Sequence, residues 1–310
     1  MTQAAAQSSA STTADVIVVG AGPAGSSAAY HMATLGLDVI LLEKQELGRD
    51  KVCGDGLTPS AVRELVSMGV DTSGWQRNRG LRVIGGGHLL HFPWPEQASF
   101  PSYGMARPRA LLDRDLAEHA AAAGARLLTG VTVTGPVTSP TGRVTGVEAR
   151  PTNRVAYPGI EAPTTFSAPL VIDAGGVSAR LATALGRTKN ERRPMGVAVR
   201  AYFRSPRAKD AWMESRLELW DGKPGKSDLL PGYGWIWSVG EGLVNVGLGS
   251  VSSRASATAI DYRAVFNRWM DNVPASWGFT KENQVGGLVS AALPMAFNRK
   301  PHYADGLMLL

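Results

Sequence analysis

Short apolar runs flank a helical segment at the start of the chain. Residues 15–19 and 38–42 each consist of an aspartate followed by four apolar residues, and residues 23–35 between them are rich in alanine. Apolar runs of this length are typical of strands that are buried on both faces of a parallel sheet. The pattern therefore predicts a strand, a helix and a second strand, joined as a β-α-β unit.

The middle of the chain predicts three more elements of a mixed α/β core. Residues 59–68 have a helical pattern, with Thr58 as the N-cap. Residues 111–123 are rich in alanine and leucine and predict another helix. Residues 169–174 form an apolar strand that leads into a Gly-Gly turn, as expected for a further buried strand of the same sheet.

The pattern changes after residue 193, where strand-like segments predominate. Strands are predicted at 195–203, 216–220, 234–239 and 243–249, and a helix at 262–271. We therefore predict an α/β fold (α+β overall), in which a Rossmann-like nucleotide-binding domain carries an inserted antiparallel β-sheet domain. The predicted parts are a disordered tail over 1–14, the nucleotide-binding domain over 15–80, 105–190 and 302–310, and the inserted substrate domain over 81–104 and 191–301.

The first predicted strand runs into a glycine-rich turn with the pattern G-x-G-x-x-G, Gly20–Gly25. In this context Gly20 permits a tight turn, Gly22 lets the backbone approach a pyrophosphate, and Gly25 lets the helix pack closely on the strand. The helix N-terminus would stabilise the phosphate charge. Glu43 follows the second strand and can accept hydrogen bonds from both ribose hydroxyls, but it would repel a 2′-phosphate. NADP is thus disfavoured at this turn, and FAD and NAD remain.

Composition and charge narrow the possible partners and location. The net charge of +6 arises from 32 basic and 26 acidic residues scattered among 310, which predicts no nucleic-acid partner and only a mild preference for anionic ligands or acidic lipid. No run approaches the ~18 apolar residues of a membrane span, so any membrane contact is expected to be peripheral. The single cysteine, Cys53, cannot form an internal disulfide, which favours a cytoplasmic location. No metal site is predicted.

Four further segments carry a resemblance to a known flavoprotein family. They are Arg49–Pro59 (RDKVCGDGLTP), Arg109–Asp113 (RALLD), Val171–Arg180 (VIDAGGVSAR), and Pro231–Trp237 (PGYGWIW) together with Asn245–Gly249 (NVGLG). With the glycine turn, they make the chain similar to the geranylgeranyl reductase family, within the larger group built like p-hydroxybenzoate hydroxylase. The resemblance covers residues 15–310 and implies that the bound nucleotide is FAD.

The resemblance also implies which residues contact FAD. Arg109 lies at a predicted helix start, where a cation opposes the helix dipole, which indicates an anionic partner. Asp173 is expected to orient the ribityl or phosphate region of the flavin. The chain departs from the family at 175–176, where Gly-Gly stands in place of the usual Asp-Gly; if the usual acid belongs at position 175, its contact is lost and Asp173 is the residue that would partly substitute for it. The predicted FAD-binding residues are Gly20, Gly22, Pro23, Ala24, Gly25, Glu43, Lys44, Arg49, Cys53, Gly54, Arg109, Asp173 and Gly175.

The function implied by the resemblance is the reduction of isoprenoid carbon–carbon double bonds, with hydride supplied by reduced FAD. The implied substrates are geranylgeranyl diphosphate, a geranylgeranyl lipid or the prenyl tail of a quinone. Trp235 and Trp237 alternate along a strand and so share one face. Together with Tyr233 they are predicted to contact the substrate, although plain sheet core is an equal interpretation of the pair. The candidate catalytic residues are Cys53, Asp55 and Tyr233.

Several alternatives stay open at this point. A FAD-dependent monooxygenase of the same architecture would hydroxylate a small aromatic compound. Because no second nucleotide-binding turn is found, NAD(P)H that docks transiently and a ferredoxin-type protein are both candidate electron donors. In the family, an apolar strand like 306–310 continues into a Gly-Asp motif and a helix, so an inactive, truncated flavoprotein is a third interpretation of the chain.

Overall fold

The computed structural model describes residues 11–52, 54–152, 163–190, 193–252, 260–294 and 299–310. The strands in chain order are β1 (Val16–Val19), β2 (Val39–Leu42), β3 (Gly56–Leu57), β4 (Gln76–Asn78), β5 (Gly80–Gly85), β6 (His88–Pro93), β7 (Gly104–Ala106), β8 (Arg126–Leu128), β9 (Val131–Thr138), β10 (Val144–Pro151), β11 (Thr164–Ser167), β12 (Leu170–Asp173), β13 (Met195–Arg204), β14 (Trp212–Arg216), β15 (Gly232–Gly240), β16 (Leu243–Ser252), β17 (Gln284–Pro294), β18 (Tyr303–Ala304) and β19 (Leu307–Leu309). The α-helices are α1 (Pro23–Thr34), α2 (Pro59–Ser67), α3 (Arg109–Ala122), α4 (Arg180–Ala184) and α5 (Tyr262–Met270).

These elements form two units, which are described separately. The first unit comprises residues 1–49, 110–190 and 298–310, and the second comprises 50–109 and 191–297. The mixed α/β fold with a Rossmann-like part, predicted from the sequence, is confirmed. No helix in the described parts of the chain is both long enough and apolar enough to cross a membrane.

The first unit is built on a six-stranded sheet in the order β18-β19-β12-β1-β2-β8. All neighbouring strands are parallel except β18 and β19. On one face, Val18 packs against Ala29 of α1 and Ala117 of α3. On the other face, Ile17 belongs to a cluster that includes Phe166 of the three-stranded sheet β11-β10-β9. Both faces are therefore covered, which explains why β1 and β2 are wholly apolar.

The connection from β1 to α1 has no room for side chains at two glycines. Gly20 has a φ of +103°, which is strained for any residue with a Cβ. A Cβ on Gly25 would lie 1.9 Å from the carbonyl oxygen of Gly20, and a Cβ on Gly20 would lie 2.6 Å from the carbonyl oxygen of Ala174. The two glycines thus let α1 begin directly at the ends of β1 and β12.

The second unit is built on a seven-stranded sheet in the order β17-β13-β16-β15-β14-β5-β6. Its neighbouring strands are antiparallel except β14 and β5. On one face, α5 contributes Val265 and Phe266 to a cluster with Ile236 and Val246. Fully burying an apolar side chain of this size contributes about 1.5–3 kcal/mol, so α5 is a major stabilising element of this unit. The opposite face, called here the aromatic face, carries the tryptophans of β15.

Residues 11–14 differ from the predicted disordered tail. Thr13 forms an isolated bridge with Ser167, and the Ser167 N–H donates to the carbonyl oxygen of Thr12 at 2.9 Å. The guanidinium of Arg126 donates to the carbonyl oxygens of Ser11 and Thr13 and also pairs with Asp38. This part of the tail is ordered because its backbone adds to the edge of β11; residues 1–10 lie outside the described residues.

The strand predicted at 216–220 is wrong in position, because β14 lies at Trp212–Arg216. The pattern misled because Glu214, an acidic residue, is buried in the middle of this strand. Burial alone would raise the pKa of Glu214, but hydrogen bonds and charges from Arg207 and Arg216 lower it below its ordinary value. The strand is stable because arginines compensate the buried charge, and these arginines cannot be identified as partners from the local sequence.

The unit boundary also differs from the predicted domains at 50–80 and 105–109. These residues were predicted in the nucleotide-binding domain, whereas in the structure they group with the second unit; conversely, residues 299–301 were predicted in the substrate domain and group with the first unit. The physical reason is that β4 and β7 form a small sheet with β3, order β3-β7-β4, and Ala106 of β7 joins the cluster on the aromatic face. Asp55, which lies in the segment 50–80, also hydrogen-bonds to Tyr202 and Asn245 of the seven-stranded sheet.

Replacing Gly25 with alanine is expected to destabilise the protein by about 1–3 kcal/mol, the usual cost of overpacking, because the new Cβ collides with the Gly20 backbone. The free energy of unfolding from urea denaturation measures the effect. Gly135→Ala is the matched control, since a Cβ there meets nothing within 4 Å. Equal stability of the two variants would show that the turn is not closely packed.

Candidate functional site

The glycine turn is tied to the end of β2 through Glu43. The Glu43 Oε2 accepts a hydrogen bond from the Ala21 N–H at 2.9 Å, and Oε1 accepts one from the Gln45 N–H at 3.0 Å. Gly22 is the N-cap of α1 and Pro23 occupies the first turn. Since glycine has no side chain to cap the helix, the N-terminal N–H groups of α1 are left to an external anion. The predicted residues 20–25 and Glu43 therefore lie together.

A cavity of about 280 Å³ lies in the first unit beyond Glu43. Lys44 and Arg49, both predicted to contact FAD, line it and bring two positive charges. The other lining residues are Gln45, Glu46, Leu47, Gly48, Gly130 and Thr152. The Glu43 carboxylate suits the ribose of a dinucleotide, and the uncapped N-terminus of α1 suits its pyrophosphate. The cavity with two cations suits the adenosine end. The residues of this unit thus fit FAD.

The Asp173 carboxylate is bound by the backbone of the protein itself. The carboxylate is buried, Oδ1 accepts from the Gly175 N–H at 2.9 Å, and Oδ2 accepts from the Ala182 N–H at 2.8 Å. A Cβ on Gly175 would lie 2.8 Å from Asp173 Oδ1, so a glycine is needed there. Asp173 therefore holds the turn between β12 and α4 in shape, and this is the turn that carries the predicted flavin contact.

The second unit brings a group of residues around Asp55, which has a φ of +62° and is only 1% exposed. Its Oδ2 accepts hydrogen bonds from the Tyr202 hydroxyl and the Asn245 Nδ2, each at 2.7 Å. Its Oδ1 accepts from the backbone N–H of Arg109 at 3.0 Å. Three donors therefore hold this carboxylate in a backbone conformation that is unfavourable for an aspartate.

The preceding residues of the same loop are held by Arg200, which is buried in β13. Its guanidinium pairs with the Asp50 carboxylate and donates to the carbonyl oxygen of Lys51 at 3.1 Å. It also lies over the ring of Tyr202, 4.1 Å from the centroid. Residues 50–56, called here the anchored loop, are thus fixed to the aromatic face at both ends; Cys53, which lies within this segment, is outside the described residues.

Trp235 and Trp237 lie side by side on the aromatic face, as predicted for alternate residues of a strand. Their ring centroids are 5.8 Å apart, the ring planes are inclined by 21°, and the two residues are only 5% and 9% exposed. Trp237 Nε1 donates to the carbonyl oxygen of Gly54 at 2.6 Å, and Trp235 Nε1 donates to Asn245 Oδ1 at 2.8 Å. Tyr233 lies 5.9 Å from Trp235 and is 44% exposed, so the aromatic row opens to solvent at Tyr233.

Glycines make room for these indoles and for the anchored loop. A Cβ on Gly247 of β16 would lie 2.3 Å from the Trp235 ring, and a Cβ on Gly54 would lie 2.9 Å from the Trp237 ring. A Cβ on Gly56 would lie 2.3 Å from Met213. Gly54 and Gly247 are therefore needed because the loop and the tryptophans pack in direct contact, whereas Gly56 faces only the flexible end of the Met213 side chain.

The environment of Asp55 changes its acidity. Burial raises the pKa of the Asp55 carboxyl from 3.8 to about 6, although hydrogen bonds from Tyr202 and Asn245 and the charge of Arg200 act in the opposite direction. Burial and the adjacent Asp55 carboxylate also raise the pKa of the Tyr202 hydroxyl, so it remains a proton donor in this hydrogen bond. The pKa of the Asp55 carboxyl is therefore raised toward neutral pH by its burial.

Sequence reasoning did not identify two residues of this group, Arg200 and Tyr202. One signal was available: Arg200 is a single charged residue in the otherwise apolar run Val197–Ala201, and buried charges in strands need partners. Tyr202 follows two positions later and so shares its face. Asn245 was part of a recognised motif, but its hydrogen bond to Asp55 spans 190 residues of sequence.

Comparison with known proteins identifies relatives of this chain. The chain is 38% identical over 288 residues to a menaquinone reductase of Mycolicibacterium smegmatis, which covers 92% of this chain and 66% of the relative. It is 30% identical over 256 residues to digeranylgeranylglycerophospholipid reductase 1 of Methanosphaera stadtmanae, covering 80% of this chain and 57% of that relative. The chain thus spans less than two thirds of the length of these relatives.

A solved structure of a known protein has a similar fold. The geranylgeranyl bacteriochlorophyll reductase-like protein of Thermoplasma acidophilum matches with a TM-score of 0.75 and 25% identity, over 96% of this chain and 70% of that one. The resemblance inferred from the sequence motifs is confirmed by these relatives. The family model described as FAD binding domain matches residues 13–258, which is most of the chain. The chain therefore belongs to the FAD binding domain family of flavoproteins.

Proposed function

We propose that this chain is the FAD- and substrate-binding part of a reductase of isoprenoid carbon–carbon double bonds. The observation that carries the proposal is the anchored loop, the segment with the most specific family resemblance, which packs directly on a row of aromatic side chains. Among the implied substrates, the prenyl tail of a quinone fits best, because the relative named menaquinone reductase is 38% identical. Geranylgeranyl lipids are the second substrate class, supported by the 30% identical relative.

FAD would be held by the first unit through residues already brought together there. The N-terminus of α1 and residues 20–25 would bind the pyrophosphate and Glu43 the ribose, while Lys44 and Arg49 line the cavity that would take the adenosine end. Bound and reduced, FAD supplies a hydride, with electrons that come from NAD(P)H or a ferredoxin-type protein. Asp173 shapes the β12–α4 turn through two backbone hydrogen bonds and is assigned to positioning.

The aromatic face would bind the apolar isoprenoid and keep water from it. Trp235 and Trp237 are covered by the anchored loop, so a hydrocarbon chain would contact the aromatic row at its open end, Tyr233. Asp55 is enclosed and accepts three hydrogen bonds, so we assign it to holding the anchored loop in place rather than to direct proton transfer. Cys53 and the half-exposed Tyr233 are then the candidates that can supply a proton to the substrate.

The reductase proposal predicts a specific change in mass. The FAD-loaded chain, reduced chemically and incubated with a quinone that carries an unsaturated prenyl tail, is expected to yield a product that is heavier by two hydrogens in mass spectrometry after its ring has been reoxidised from quinol to quinone in air. The same mixture with the reductant but without the chain is the control, because the reductant alone can convert the quinone ring to the quinol. A product heavier by one oxygen would instead support the monooxygenase, and an unchanged quinone would contradict the proposal.

The Glu43→Gln variant is expected to bind FAD about tenfold more weakly, equivalent to about 1.4 kcal/mol, because the amide loses the negative charge and one acceptor oxygen. The loss of FAD fluorescence on titration with protein measures the dissociation constant. Glu148→Gln, an exposed change in β10 of the same unit, should leave it unchanged. Equal affinity of the two variants would argue against a ribose contact by Glu43.

Asp55 predicts a pH dependence of stability with a definite sign. The native carboxyl has a pKa of about 6, above the unfolded value of 3.8, so the native state binds the extra proton between these values. The contribution of Asp55 to the free energy of unfolding should therefore fall by roughly 3 kcal/mol as the pH rises from about 4 to above 6, and then level off. Urea denaturation of the Asp55→Asn variant should lack this fall; an identical pH profile in both proteins would contradict the assignment.

A further inference from the structure

The edge strand β6 exposes apolar side chains to an unusual degree. All six of its residues are exposed, and Leu89, Leu90 and Phe92 are 55%, 52% and 50% exposed. Leu217, also exposed, packs beside Gly85 at the end of the same hairpin. Contiguous exposed apolar residues of this kind mark a surface that binds another partner.

The charge pattern of the β5–β6 hairpin also indicates a surface that binds a partner. Residues 83–95 contain no Asp, Glu, Lys or Arg. Edge strands normally carry charges that prevent association, and β6 has none. Leu90 and Phe92 lie on one face of the strand and Leu89 on the other, because side chains alternate. A flat protein partner would cover one face only, whereas a lipid interface surrounds both.

The exposed edge is continuous with the aromatic face. Strand pairing places Leu90 opposite Val83, Val83 opposite Ser215, and Ser215 opposite Trp235. Directly paired residues lie on the same face, so Leu90 and Trp235 belong to one row across the sheet. The two residues are separated by three strand spacings, about 14 Å. Leu81 and Met213 of the neighbouring row pack in the same cluster as Trp235.

We propose that the β5–β6 edge docks on a membrane surface with anionic lipids, where it presents the isoprenoid tail of a membrane lipid to the aromatic face. The inference rests on the proposed function, because an isoprenoid quinone or lipid resides in the bilayer. The docking is shallow: the side chains of Leu89, Leu90 and Phe92 enter the interface, while the strand edge stays among the headgroups, since open backbone groups are not tolerated in hydrocarbon.

The distribution of charge favours an anionic bilayer. The second unit contains 20 of the 32 Lys and Arg residues of the chain and 15 of its 26 Asp and Glu residues. The basic excess of the chain is therefore concentrated in the unit that carries the apolar edge. Electrostatic attraction and burial of apolar side chains act together at such surfaces, because neither alone gives strong binding.

Sedimentation with vesicles tests the docking surface. The wild-type chain should bind phosphatidylcholine vesicles that contain phosphatidylglycerol more tightly than pure phosphatidylcholine vesicles. The double substitution Leu90→Ser and Phe92→Ser should weaken this binding by about tenfold or more, because it removes the inserted apolar surface. Leu35→Ser is the matched control, since Leu35 is an exposed leucine of the first unit and should not affect binding. Melting temperatures close to that of the wild type verify that the variants fold.

Two results would overturn the inference. One is vesicle binding by the double variant that equals that of the wild type. The other is a wild-type dimer that becomes monomeric in the double variant with no change in vesicle binding, which would identify the edge as an interface between two copies. Reduction of a short, water-soluble isoprenoid by the wild type reports on the proposed function without any vesicle, so failure of one proposal is distinguishable from failure of the other.

Discussion

The hydrogen bonds that hold the Asp55 carboxylate are the interaction on which the candidate substrate region depends. A buried carboxylate is costly unless donors surround it, and here the hydroxyl of Tyr202, the amide of Asn245 and a backbone N–H all point to it. The donors come from β13, β16 and the start of α3, whereas Asp55 lies in a loop. One side chain therefore fixes the loop to two strands of the seven-stranded sheet.

The remaining features of this face follow from that attachment. The loop lies directly on the tryptophans of β15, so a side chain at position 54 would collide with the Trp237 ring. Arg200 compensates the charge of Asp50 and stacks on the ring of Tyr202, which holds the tyrosine in place for its bond to Asp55. Such a network is stabilising only when its members are satisfied together, since an unpaired member would be a buried charge.

Local features of the fold could be predicted from the sequence, and long-range ones could not. The β-α-β unit, the glycine turn with Glu43, and the helix capped by Thr58 all depend on residues within one segment, and the structure contains each of them. The position of β14 was wrong, because Glu214 is buried only with the help of Arg207 and Arg216. Tyr202 was missed for the same reason: its partner Asp55 lies 147 residues away, and no local pattern links them.

The most direct test of the central claim is a double-mutant cycle between Asp55 and Tyr202, measured as the free energy of unfolding at a pH above 7. If the two side chains act as one unit, the combined Asp55→Asn and Tyr202→Phe changes should cost less than the sum of the single changes, with a coupling energy of about 1–3 kcal/mol. Strictly additive costs would contradict the account, because they would mean that the hydrogen bond between these side chains does not hold the loop.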